Sequence, residues 1–312
     1  SSQGIKMHRT DGLYFNYAIF TNISPDHIGP GEHADFEEYL YYKTRLLNMC
    51  GIGLVNKDDK HAPQIIKAAN CELYTYSEES KEADFVASDI RYVSQPDFVG
   101  TEFHISGKYD MEVRLGIPGL FNVVNALAAV SVCSFLGLDQ ARISHALENI
   151  RVNGRMEIVY TSERCTVLVD YAHNAVSMES LLSILRDYKP KRLVCVFGCG
   201  GNRSKDRRYS MGEIGGKMAD LSIITADNSR YEKVEDIIAD IRGSIEKTGG
   251  KFIEIPDRRE AIRYSILHAQ PGDMVAVIGK GHEDYQEING VRHHFLDREV
   301  IEETVKELGE KA

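Results

Sequence analysis

Residues 193–208 read LVCVFGCGGNRSKDRR, and this stretch decides the fold class. The five apolar residues 193–197 are rich in β-forming types and predict a buried strand. Three glycines follow almost at once, and glycine lets a ligand approach the backbone closely. Met211, Ile214 and Met218 then recur at helical spacing. The stretch therefore predicts a strand, a glycine-rich turn and a helix.

Four cations lie around the start of that predicted helix: Arg203, Lys205, Arg207 and Arg208. A helix N-terminus presents unpaired backbone N–H groups, and cationic side chains beside it complete a site for an anionic ligand. The alternative is a tight turn whose arginines are only solvated. So many glycines and cations exceed what a simple connection needs, which favours the ligand site.

Composition indicates an ordinary globular protein. The chain has 312 residues, which predicts two domains, and is 43% hydrophobic and 27% charged. Its formal net charge of −10 argues against non-specific nucleic-acid binding. The longest apolar region, 124–138, is interrupted by polar residues and is too short to span a bilayer. No signal-peptide pattern opens the chain and its six cysteines include no CxxC pair, so we expect a cytoplasmic protein with reduced cysteines.

Residues 1–152 predict a mixed first domain. Its expected elements are a strand at 18–20, a helix at 36–49, a strand at 53–56, antiparallel strands within 90–115 and a helix at 121–136. The first of these strands leads into Pro25, Asp26 and His27, a turn of the kind that often carries ligand-binding side chains.

Residues 153–312 alternate regularly between strand and helix patterns. Strands are expected at 166–169, 193–197, 222–225, 252–255 and 274–278, and apolar stripes predict helices around 181–188, 234–245, 262–269 and 301–308. This alternation predicts an α/β fold with a parallel sheet covered on both faces.

Unusual polar motifs follow four of these strands: DYAH at 170–173, the glycine-rich turn from 198, DNSR at 227–230 and GKGHE at 279–283. Ligands on parallel sheets bind at the carboxyl ends of the strands, and those ends lie at one edge. The convergence of the motifs predicts a binding site there.

These motifs, in this order, resemble the C-terminal domain of the Mur ligases, especially the members that add the third residue of the peptidoglycan stem peptide. The first half carries further matching segments: SSQGIKMHR at 1–9, FTNISPDH at 20–27, YYKTRL at 41–46, GLFNVVNALAA at 119–129 and GRME at 154–157. The resemblance implies the remainder of a central ATPase domain at 1–152 and a Rossmann-like, mostly parallel-sheet domain at 153–312.

Two expected parts of the family pattern are missing. The glycine-rich phosphate loop GTxGK[ST] does not occur in the sequence, and no counterpart of the N-terminal uridine-binding domain is seen. We therefore expect a fragment that is inactive as a ligase on its own.

The implied reaction is ATP-dependent amide formation in peptidoglycan synthesis. ATP phosphorylates the side-chain carboxylate of the D-glutamyl residue in UDP-N-acetylmuramoyl-L-alanyl-D-glutamate, and a diamino acid then attacks the acyl phosphate. Such chemistry depends on positioning and charge neutralisation, here with Mg²⁺. The expected partners are the UDP-N-acetylmuramoyl-dipeptide, a diamino acid and ATP, and we expect a monomer that neither binds nucleic acid nor inserts into a membrane.

The resemblance implies catalytic and metal-binding roles for two residues. His27 matches a Mg²⁺-binding histidine, and Lys43 matches a lysine that becomes an anionic carbamate and assists a second Mg²⁺. On the sequence alone, a turn histidine and a solvated helix lysine remain the alternatives.

Five residues match the family's ATP-binding positions: Asn122, Asn125, Arg155, Asp170 and His173. The alternatives are a helix N-cap for Asn122 and for Asp170, a polar spot on a helix for Asn125, and a salt bridge for Arg155.

Eight residues match substrate-binding positions: Ser1, Arg9, Arg203, Asp227, Asn228, Arg230, Gly279 and Glu283. Arginine grips carboxylates and acidic residues take up ammonium groups, which suits meso-diaminopimelate. Ser229 stands where the family usually has proline, which removes a constraint on φ and leaves L-lysine open as the alternative diamino acid.

Two other functions stay open. A related amide ligase, such as a folylpolyglutamate or cyanophycin synthetase, is disfavoured by DNSR and GKGHE together. A non-catalytic binding module that keeps the second-domain pocket is the alternative that the missing phosphate loop favours.

Overall fold

A computed structural model describes residues 1–309 of the chain. The chain forms two compact units. Unit 1 comprises Ser1–Arg91, Thr101–Leu115 and Leu120–Asn149, and unit 2 comprises Tyr92–Gly100, Gly116–Gly119 and the chain from Ile150 onward. None of the helices in the described part of the chain has the length and apolar composition needed to cross a bilayer.

Unit 1 is built on a six-stranded sheet in the order β1-β2-β3-β4-β5-β6. The strands are β1 (Phe15–Phe20), β2 (Cys50–Asn56), β3 (Glu72–Ser77), β4 (Phe85–Gln95), β5 (Phe98–Gly107) and β6 (Met111–Leu115). The helices are α1 (Ser2–Lys6), α2 (Phe36–Thr44), α3 (Ala62–Ala68), α4 (Leu120–Phe135) and α5 (Gln140–Glu148). The first four strands pair in parallel, whereas β5 and β6 form an antiparallel hairpin.

The sequence-based expectations for this unit hold with two differences. The antiparallel turn after Gly107 and the helix from about residue 121 are confirmed. The helix expected over 36–49 ends at Thr44, and a 3₁₀ turn, Arg45–Asn48, continues it. The sequence did not indicate α1, which is only five residues long, or β3, α3 and α5, whose polar residues interrupt the apolar pattern.

The core of unit 1 lies where α2 packs on the first two strands. Ala18 and Phe20 on β1 and Val55 on β2 are buried together with Leu40 on α2 and Leu47 just after it. Alternate residues of a strand point to one face, so β1 buries Ala18 and Phe20 and exposes Ile19. This packing holds the segment after β1 beside the α2 helix.

Unit 2 carries the larger parallel sheet, in the order β11-β10-β9-β12-β8-β7. The strands are β7 (Glu157–Thr161), β8 (Cys165–Asp170), β9 (Arg192–Phe197), β10 (Leu221–Ile224), β11 (Phe252–Glu254) and β12 (Asp273–Ile278), and β13 (Tyr285–Ile288) and β14 (Val291–His294) form a separate hairpin. The helices are α6 (Ala175–Asp187), α7 (Lys205–Met218), α8 (Val234–Thr248), α9 (Arg258–Leu267) and α10 (Asp297–Glu307).

The predicted α/β class and mostly parallel sheet are confirmed. Every neighbouring pair from β11 to β8 is parallel, and only the edge strand β7 runs antiparallel to its neighbour. The central strands β8 and β12 are buried along their whole length, which explains why most of their residues are apolar. Because β12 lies between β8 and β9, the chain changes direction across the sheet at this point, where ligands of such sheets bind.

Helices cover both faces of this sheet. On one face, alternate strand residues such as Val167 and Val196 pack with Ile262 of α9 and Ile301 of α10. On the other face, the Phe197 ring lies so close to Gly215 of α7 that a methyl group there would be 3.0 Å from it. The double-sided burial fixes the sheet and therefore the positions of the loops at its carboxyl edge.

Candidate functional site

The loops that follow the strands of unit 2 bond to one another through their backbones. The N–H of Gly201 donates to the carbonyl of Asn228 at 2.8 Å, which joins the loops after β9 and β10. The N–H of Gly279 donates to the carbonyl of Asp170 at 3.1 Å, which joins the loops after β12 and β8. The predicted meeting of the motifs at one edge of the sheet is confirmed.

Glycine is required at two of these contacts. A methyl group at Gly201 would collide with the carbonyl oxygen of Ser229. Gly279 has a φ of +111°, and a methyl group there would lie 2.8 Å from the Asp227 carboxylate. The glycines therefore allow loops to touch backbone against backbone, which brings polar side chains from different strands within reach of each other.

Asn228 and Glu283 form the polar centre of the site. The Asn228 side-chain N–H donates to Glu283 Oε2 at 3.0 Å, and the Tyr171 hydroxyl donates to Glu283 Oε1 at 3.2 Å. Asp227 lies next to them, and one of its carboxylate oxygens accepts the backbone N–H of Asn228 at 2.5 Å. Asn228 is buried, while Asp227 and Glu283 are partly exposed and can face a ligand.

Arg230 is held at the rim of this cluster by its backbone and its side chain. Its φ of +51° is unusual for arginine, and its backbone N–H and carbonyl bond to Glu287 at 2.9 Å and to Asn289 at 2.6 Å on the β13–β14 hairpin. Its guanidinium donates to the Gly201 carbonyl at 2.7 Å and lies 3.4 Å from a Glu287 carboxylate oxygen. The neighbouring Ser229 is buried.

The four cations of the glycine-rich turn are not equivalent, which corrects the expectation that all of them line an anion site. Arg208 is 1% exposed and forms ion pairs with Glu232 at 2.8 Å and with Asp240 at 2.9 Å. Lys205 also pairs with Asp240, at 3.0 Å. These two cations therefore fasten the first turn of α7 to the middle of α8, and Arg208 also holds Glu232, which lies just before α8.

Arg203 and Arg207 are the cations of this turn that carry no ion pair within residues 1–309. Arg203 is exposed, and a methyl group on Gly200 would lie 3.7 Å from its side chain and 3.3 Å from the Arg230 guanidinium. The Arg230 guanidinium and the Arg203 side-chain stem thus both lie beside Gly200, and a guanidinium is the group that best pairs with a carboxylate.

The nucleotide-binding candidates of unit 2 surround Tyr171. The Arg155 guanidinium lies 4.9 Å from the Tyr171 ring centre, and His173 Nδ1 lies 2.9 Å from the Tyr171 carbonyl. The Asp170 carboxylate accepts backbone N–H groups of Met156 at 2.8 Å and of Ala172 at 2.7 Å. Burial raises the pKa of Asp170, although these N–H groups and Arg155 oppose the rise.

The alternative interpretation of Asp170 and Asn122 as helix N-caps is wrong. Asn174, with Ser177 in a capping box, caps α6, so Asp170 does not. Asn122 is the third residue of α4 rather than its cap, and it is buried. Asn125 follows it by three residues on the same side of α4 and is exposed.

A buried arginine supports the site, and sequence analysis did not identify it. Arg258, at the start of α9, is fully buried and pairs with Asp297 through two bonds of 2.7 and 2.8 Å. It also donates to the carbonyls of Ala226 at 3.2 Å and of Ile278 at 2.9 Å. Arg258 therefore ties the end of β12 to the loop after β10, and in sequence it looks like any charged residue of an amphipathic helix.

In unit 1, the candidate residues His27 and Lys43 contact the same aromatic ring. The His27 ring lies 6.0 Å from the ring of Tyr39, and the Lys43 ammonium lies 5.4 Å from it. His27 has a φ of +53° and is half exposed, with Glu32 3.2 Å and Asp26 3.6 Å from its ring nitrogens. Tyr39 is buried, so it gives both side chains a fixed neighbour.

The side chains around His27 fit a metal ion that takes most of its ligands from water and from the substrate rather than from the protein. Within residues 1–309 no group of three or more His, Cys, Asp or Glu side chains is arranged to hold a metal ion. Mg²⁺ retains several waters and takes one or two carboxylates plus substrate phosphates. His27 with its two carboxylate neighbours matches this sparse kind of site and does not match an all-protein cage.

The N-terminal candidates lie in unit 1. The Ser1 hydroxyl accepts the Gly4 N–H at 3.0 Å and so caps α1. Ser1 and Lys43 both line a cavity of about 220 Å³ beneath β1. Arg9 is exposed just beyond α1.

The candidates thus fall into both units. Those in unit 1 are Ser1, Arg9, His27, Lys43, Asn122 and Asn125; those in unit 2 are Arg155, Asp170, His173, Arg203, Asp227, Asn228, Arg230, Gly279 and Glu283.

Comparisons with known proteins agree with this architecture. Residues 1–133 match the Mur ligase middle domain, and residues 154–281 match the Mur ligase glutamate ligase domain. A UDP-N-acetylmuramoyl-L-alanyl-D-glutamate--2,6-diaminopimelate ligase of Caldanaerobacter subterraneus subsp. tengcongensis is 37% identical, over 98% of this chain and 63% of the relative. A second relative of that name, from Clostridium acetobutylicum, is 39% identical over 97% of this chain and 62% of its own length.

Solved structures give the same result. A structure of a UDP-N-acetylmuramoyl-L-alanyl-D-glutamate--2,6-diaminopimelate ligase superposes with a TM-score of 0.79 and 34% identity, covering 100% of this chain and 64% of the other. A UDP-N-acetylmuramate-alanine ligase of Thermotoga maritima shares the fold, with a TM-score of 0.61, 18% identity and coverage of 94% and 60%. The chain spans less than two thirds of the length of these relatives. With both domain models matched in order, the chain belongs to the Mur ligase family.

Proposed function

We propose that this protein is an ATP-dependent amide ligase that adds meso-diaminopimelate to UDP-N-acetylmuramoyl-L-alanyl-D-glutamate in the cytoplasmic stage of peptidoglycan synthesis. Membership of the Mur ligase family supports the reaction class, and the names of the relatives support the substrates. We expect the protein to work as a monomer.

The observation that carries the proposal is the convergence of DNSR and GKGHE in unit 2. Asp227 and Glu283 offer carboxylates beside Asn228, the Arg230 guanidinium lies beside Gly200, and the Arg203 side chain approaches the same glycine. A diamino dicarboxylic acid carries ammonium and carboxylate groups close together, and the site likewise places acidic and basic side chains close together. Acidic side chains take the ammonium and arginine takes the carboxylate.

The reaction takes place in two steps that conserve atoms and charge. The side-chain carboxylate of the D-glutamyl residue attacks the γ-phosphorus of ATP, which gives an acyl phosphate and ADP. The amine of the diamino acid then attacks the acyl carbon, and the amide forms as phosphate leaves and a proton is released. The protein contributes mainly positioning and neutralisation of charge.

Mg²⁺ bound with ATP would neutralise charge on the transferred phosphoryl group. We propose that His27 is one of its protein ligands and that Lys43, as a carbamate, supplies oxygen to a second ion. The neighbouring carboxylates of Asp26 and Glu32 support a cation near His27, and the shared contact with Tyr39 supports a common site for His27 and Lys43.

The remaining candidates are assigned to the nucleotide and to the peptide substrate. Asn122 and Asn125 would hold the adenine, Arg155 a phosphate and Asp170 the ribose, with His173 beside them; Ser1 and Arg9 would contact the muramoyl-dipeptide; Gly279 would let the diamino acid approach the backbone. The proposed contact of Asp170 with the ribose is supported by the fixed orientation of its buried carboxylate, which accepts two backbone N–H groups.

The test is phosphate release by the protein expressed from its complete coding sequence. We expect turnover of about 1–10³ s⁻¹ that requires ATP, Mg²⁺, the UDP-N-acetylmuramoyl-dipeptide and meso-diaminopimelate together. When L-lysine replaces meso-diaminopimelate as the substrate, the carboxylate that Arg230 would pair with is absent. The value of kcat/KM should therefore be about 10- to 100-fold lower for L-lysine.

The variant Arg230→Ala should erase most of that preference. Arg242→Ala is the matched control, because Arg242 forms a surface ion pair with Glu254 on the same unit. No phosphate release under any combination would contradict the ligase, whereas a preference for L-lysine would indicate the lysine-adding reaction. An unchanged ratio in Arg230→Ala would show that another residue reads the second carboxylate.

A further inference from the structure

Lys280, the lysine of GKGHE, is fully buried in the site of unit 2 and has no role in the function proposed above. Its side chain is 0% exposed, and it lies between Gly279 and Gly281, which both have positive φ. A buried ammonium is unfavourable unless it is paired and fully hydrogen-bonded. The Lys280 ammonium therefore needs hydrogen-bond acceptors within the buried site.

Three acceptors match the three N–H groups of this ammonium. The Lys280 Nζ lies 3.3 Å from Asn228 Oδ1 and 3.3 Å from Glu283 Oε2, and it donates to the carbonyl of Tyr285. A lysine ammonium has three donors, so the set is complete. Two of the three acceptors belong to side chains assigned to the diamino acid.

These contacts determine which atoms the Asn228 side chain presents. Its Oδ1 accepts from Lys280 and from the backbone N–H of Glu287 at 2.9 Å, so both lone pairs are used. Its Nδ2 donates one hydrogen to Glu283 at 3.0 Å. One Nδ2 hydrogen has no partner among residues 1–309, which leaves Asn228 able to act as a donor and unable to act as an acceptor.

The same contacts determine which oxygen Glu283 presents. Its Oε2 is occupied by Lys280 and Asn228, whereas its Oε1 accepts, among residues 1–309, only the Tyr171 hydroxyl at 3.2 Å. Oε1 therefore keeps acceptor capacity for an ammonium group, and the Glu283 side chain is 22% exposed. Within the described part of the chain, the contacts with Lys280 thus leave Asn228 with a free donor and Glu283 with a free acceptor.

We propose that Lys280 is a positioning residue, whose buried ammonium orients the Asn228 carboxamide to donate to a substrate carboxylate and the Glu283 carboxylate to accept a substrate ammonium. The proposal rests on the assignment of diaminopimelate to this site. Lys280 itself need not touch the substrate, because its three N–H groups are already engaged.

The experiment compares the 312-residue chain with Lys280→Met and, as matched control, with Lys217→Met. Lys217 is an exposed lysine of α7 that pairs with Glu213 four residues earlier. Two readouts are needed: binding of meso-diaminopimelate by calorimetry, and hydrogen exchange of the Asn228 side-chain amide by ¹⁵N NMR, with the signal identified by its loss in Asn228→Ala.

In Lys280→Met we expect the affinity for meso-diaminopimelate to fall about 10- to 100-fold and the Asn228 amide to exchange at least about 10-fold faster. In Lys217→Met both should stay as in the wild type. Unchanged exchange in a folded Lys280→Met chain would overturn the proposal. If the wild type does not bind meso-diaminopimelate, the substrate assignment fails, while the exchange readout still tests the orientation of Asn228.

A second variant guards against loss of folding. Lys280→Gln keeps a neutral donor in the same cavity, and we expect it to retain more of the amide protection than Lys280→Met. If both variants lose their folded methyl and amide signals, the lysine serves folding and the proposal is overturned.

Discussion

Breaking the buried ion pair of Arg258 and Asp297 by removing one partner should destabilise unit 2 far more than breaking an adjacent, exposed pair between the same two helices. Both side chains of the buried pair are 0% exposed. In the exposed pair, Arg259 and Glu303 lie 47% and 57% exposed. The chain therefore contains its own matched control, one residue apart on α9.

The magnitude follows from what each change leaves behind. Arg258→Met strands the Asp297 carboxylate and removes the donors from the carbonyls of Ala226 and Ile278. An uncompensated buried charge costs about 3–5 kcal/mol of folding free energy. Breaking an exposed pair, as in Arg259→Met, costs at most about 1 kcal/mol. Burial works against the charge of Arg258, yet Asp297 keeps the pKa of the guanidinium raised, so the pair stays ionised in the wild type.

The assay is urea unfolding followed by far-ultraviolet circular dichroism. With a slope of about 2 kcal/mol per molar urea, the midpoint of the unit 2 transition should fall by about 1.5–2.5 M in Arg258→Met and by less than about 0.5 M in Arg259→Met. The two units can unfold in separate transitions, so each midpoint is assigned separately.

Equal small shifts in the two variants would refute the reasoning, because they would mean that burial adds nothing to the Arg258 pair. The double variant Arg258→Met/Asp297→Leu should recover most of the lost stability, since it leaves no buried charge.

Three further predictions concern the loops and the catalytic candidates. Arg208→Met should cost about 1.5–3 kcal/mol at pH 7, measured by urea unfolding. Its two carboxylate partners have lowered pKa values in the fold, so the stability they contribute is present at neutral pH and is lost as pH falls through those values; the difference between wild type and variant should therefore narrow below about pH 4. Gly154→Ala should lower the thermal unfolding midpoint more than Gly249→Ala, because both glycines have positive φ but only the first would collide with the GKGHE loop; equal shifts would show that φ alone matters. Lys43→Ala should abolish turnover of the protein from its complete coding sequence, and ¹³C-bicarbonate should give the wild type a carbamate signal that the variant lacks; full activity in the variant would leave Lys43 as a solvated helix lysine.

The sheet of unit 2 could be predicted because its strands are buried on both faces. Such strands carry continuous apolar runs, as at 167–169 in β8, 193–197 in β9 and 274–278 in β12, and the helices between them have clear stripes. The β13–β14 hairpin has a mostly polar sequence, so no apolar pattern predicted it. Its one signal was Asn289 followed by Gly290, a pair typical of tight hairpin turns, and both have positive φ in the structure.

The candidate site could be located from sequence, but the partners of its charges could not. Motifs at the ends of parallel strands must meet at one edge, which topology alone requires. Whether a given arginine faces a ligand or a carboxylate depends on residues far away in the chain, and Arg208 finds Glu232 and Asp240 at distances of 24 and 32 residues. The same limit hid Arg258, whose partner Asp297 is 39 residues away.

The attachment of Arg230 to the hairpin has a consequence for how specificity can change over time. The loop is held there through the backbone N–H and carbonyl of residue 230, bonded to Glu287 and Asn289, and these bonds exist whatever side chain the residue carries. Left-handed backbone geometry at this position is easiest for glycine or asparagine, so the backbone conformation does not favour arginine. If residue 230 contacts the diamino acid as proposed, a lineage can exchange that side chain while these backbone bonds are kept, and a single codon change would alter which diamino acid is accepted.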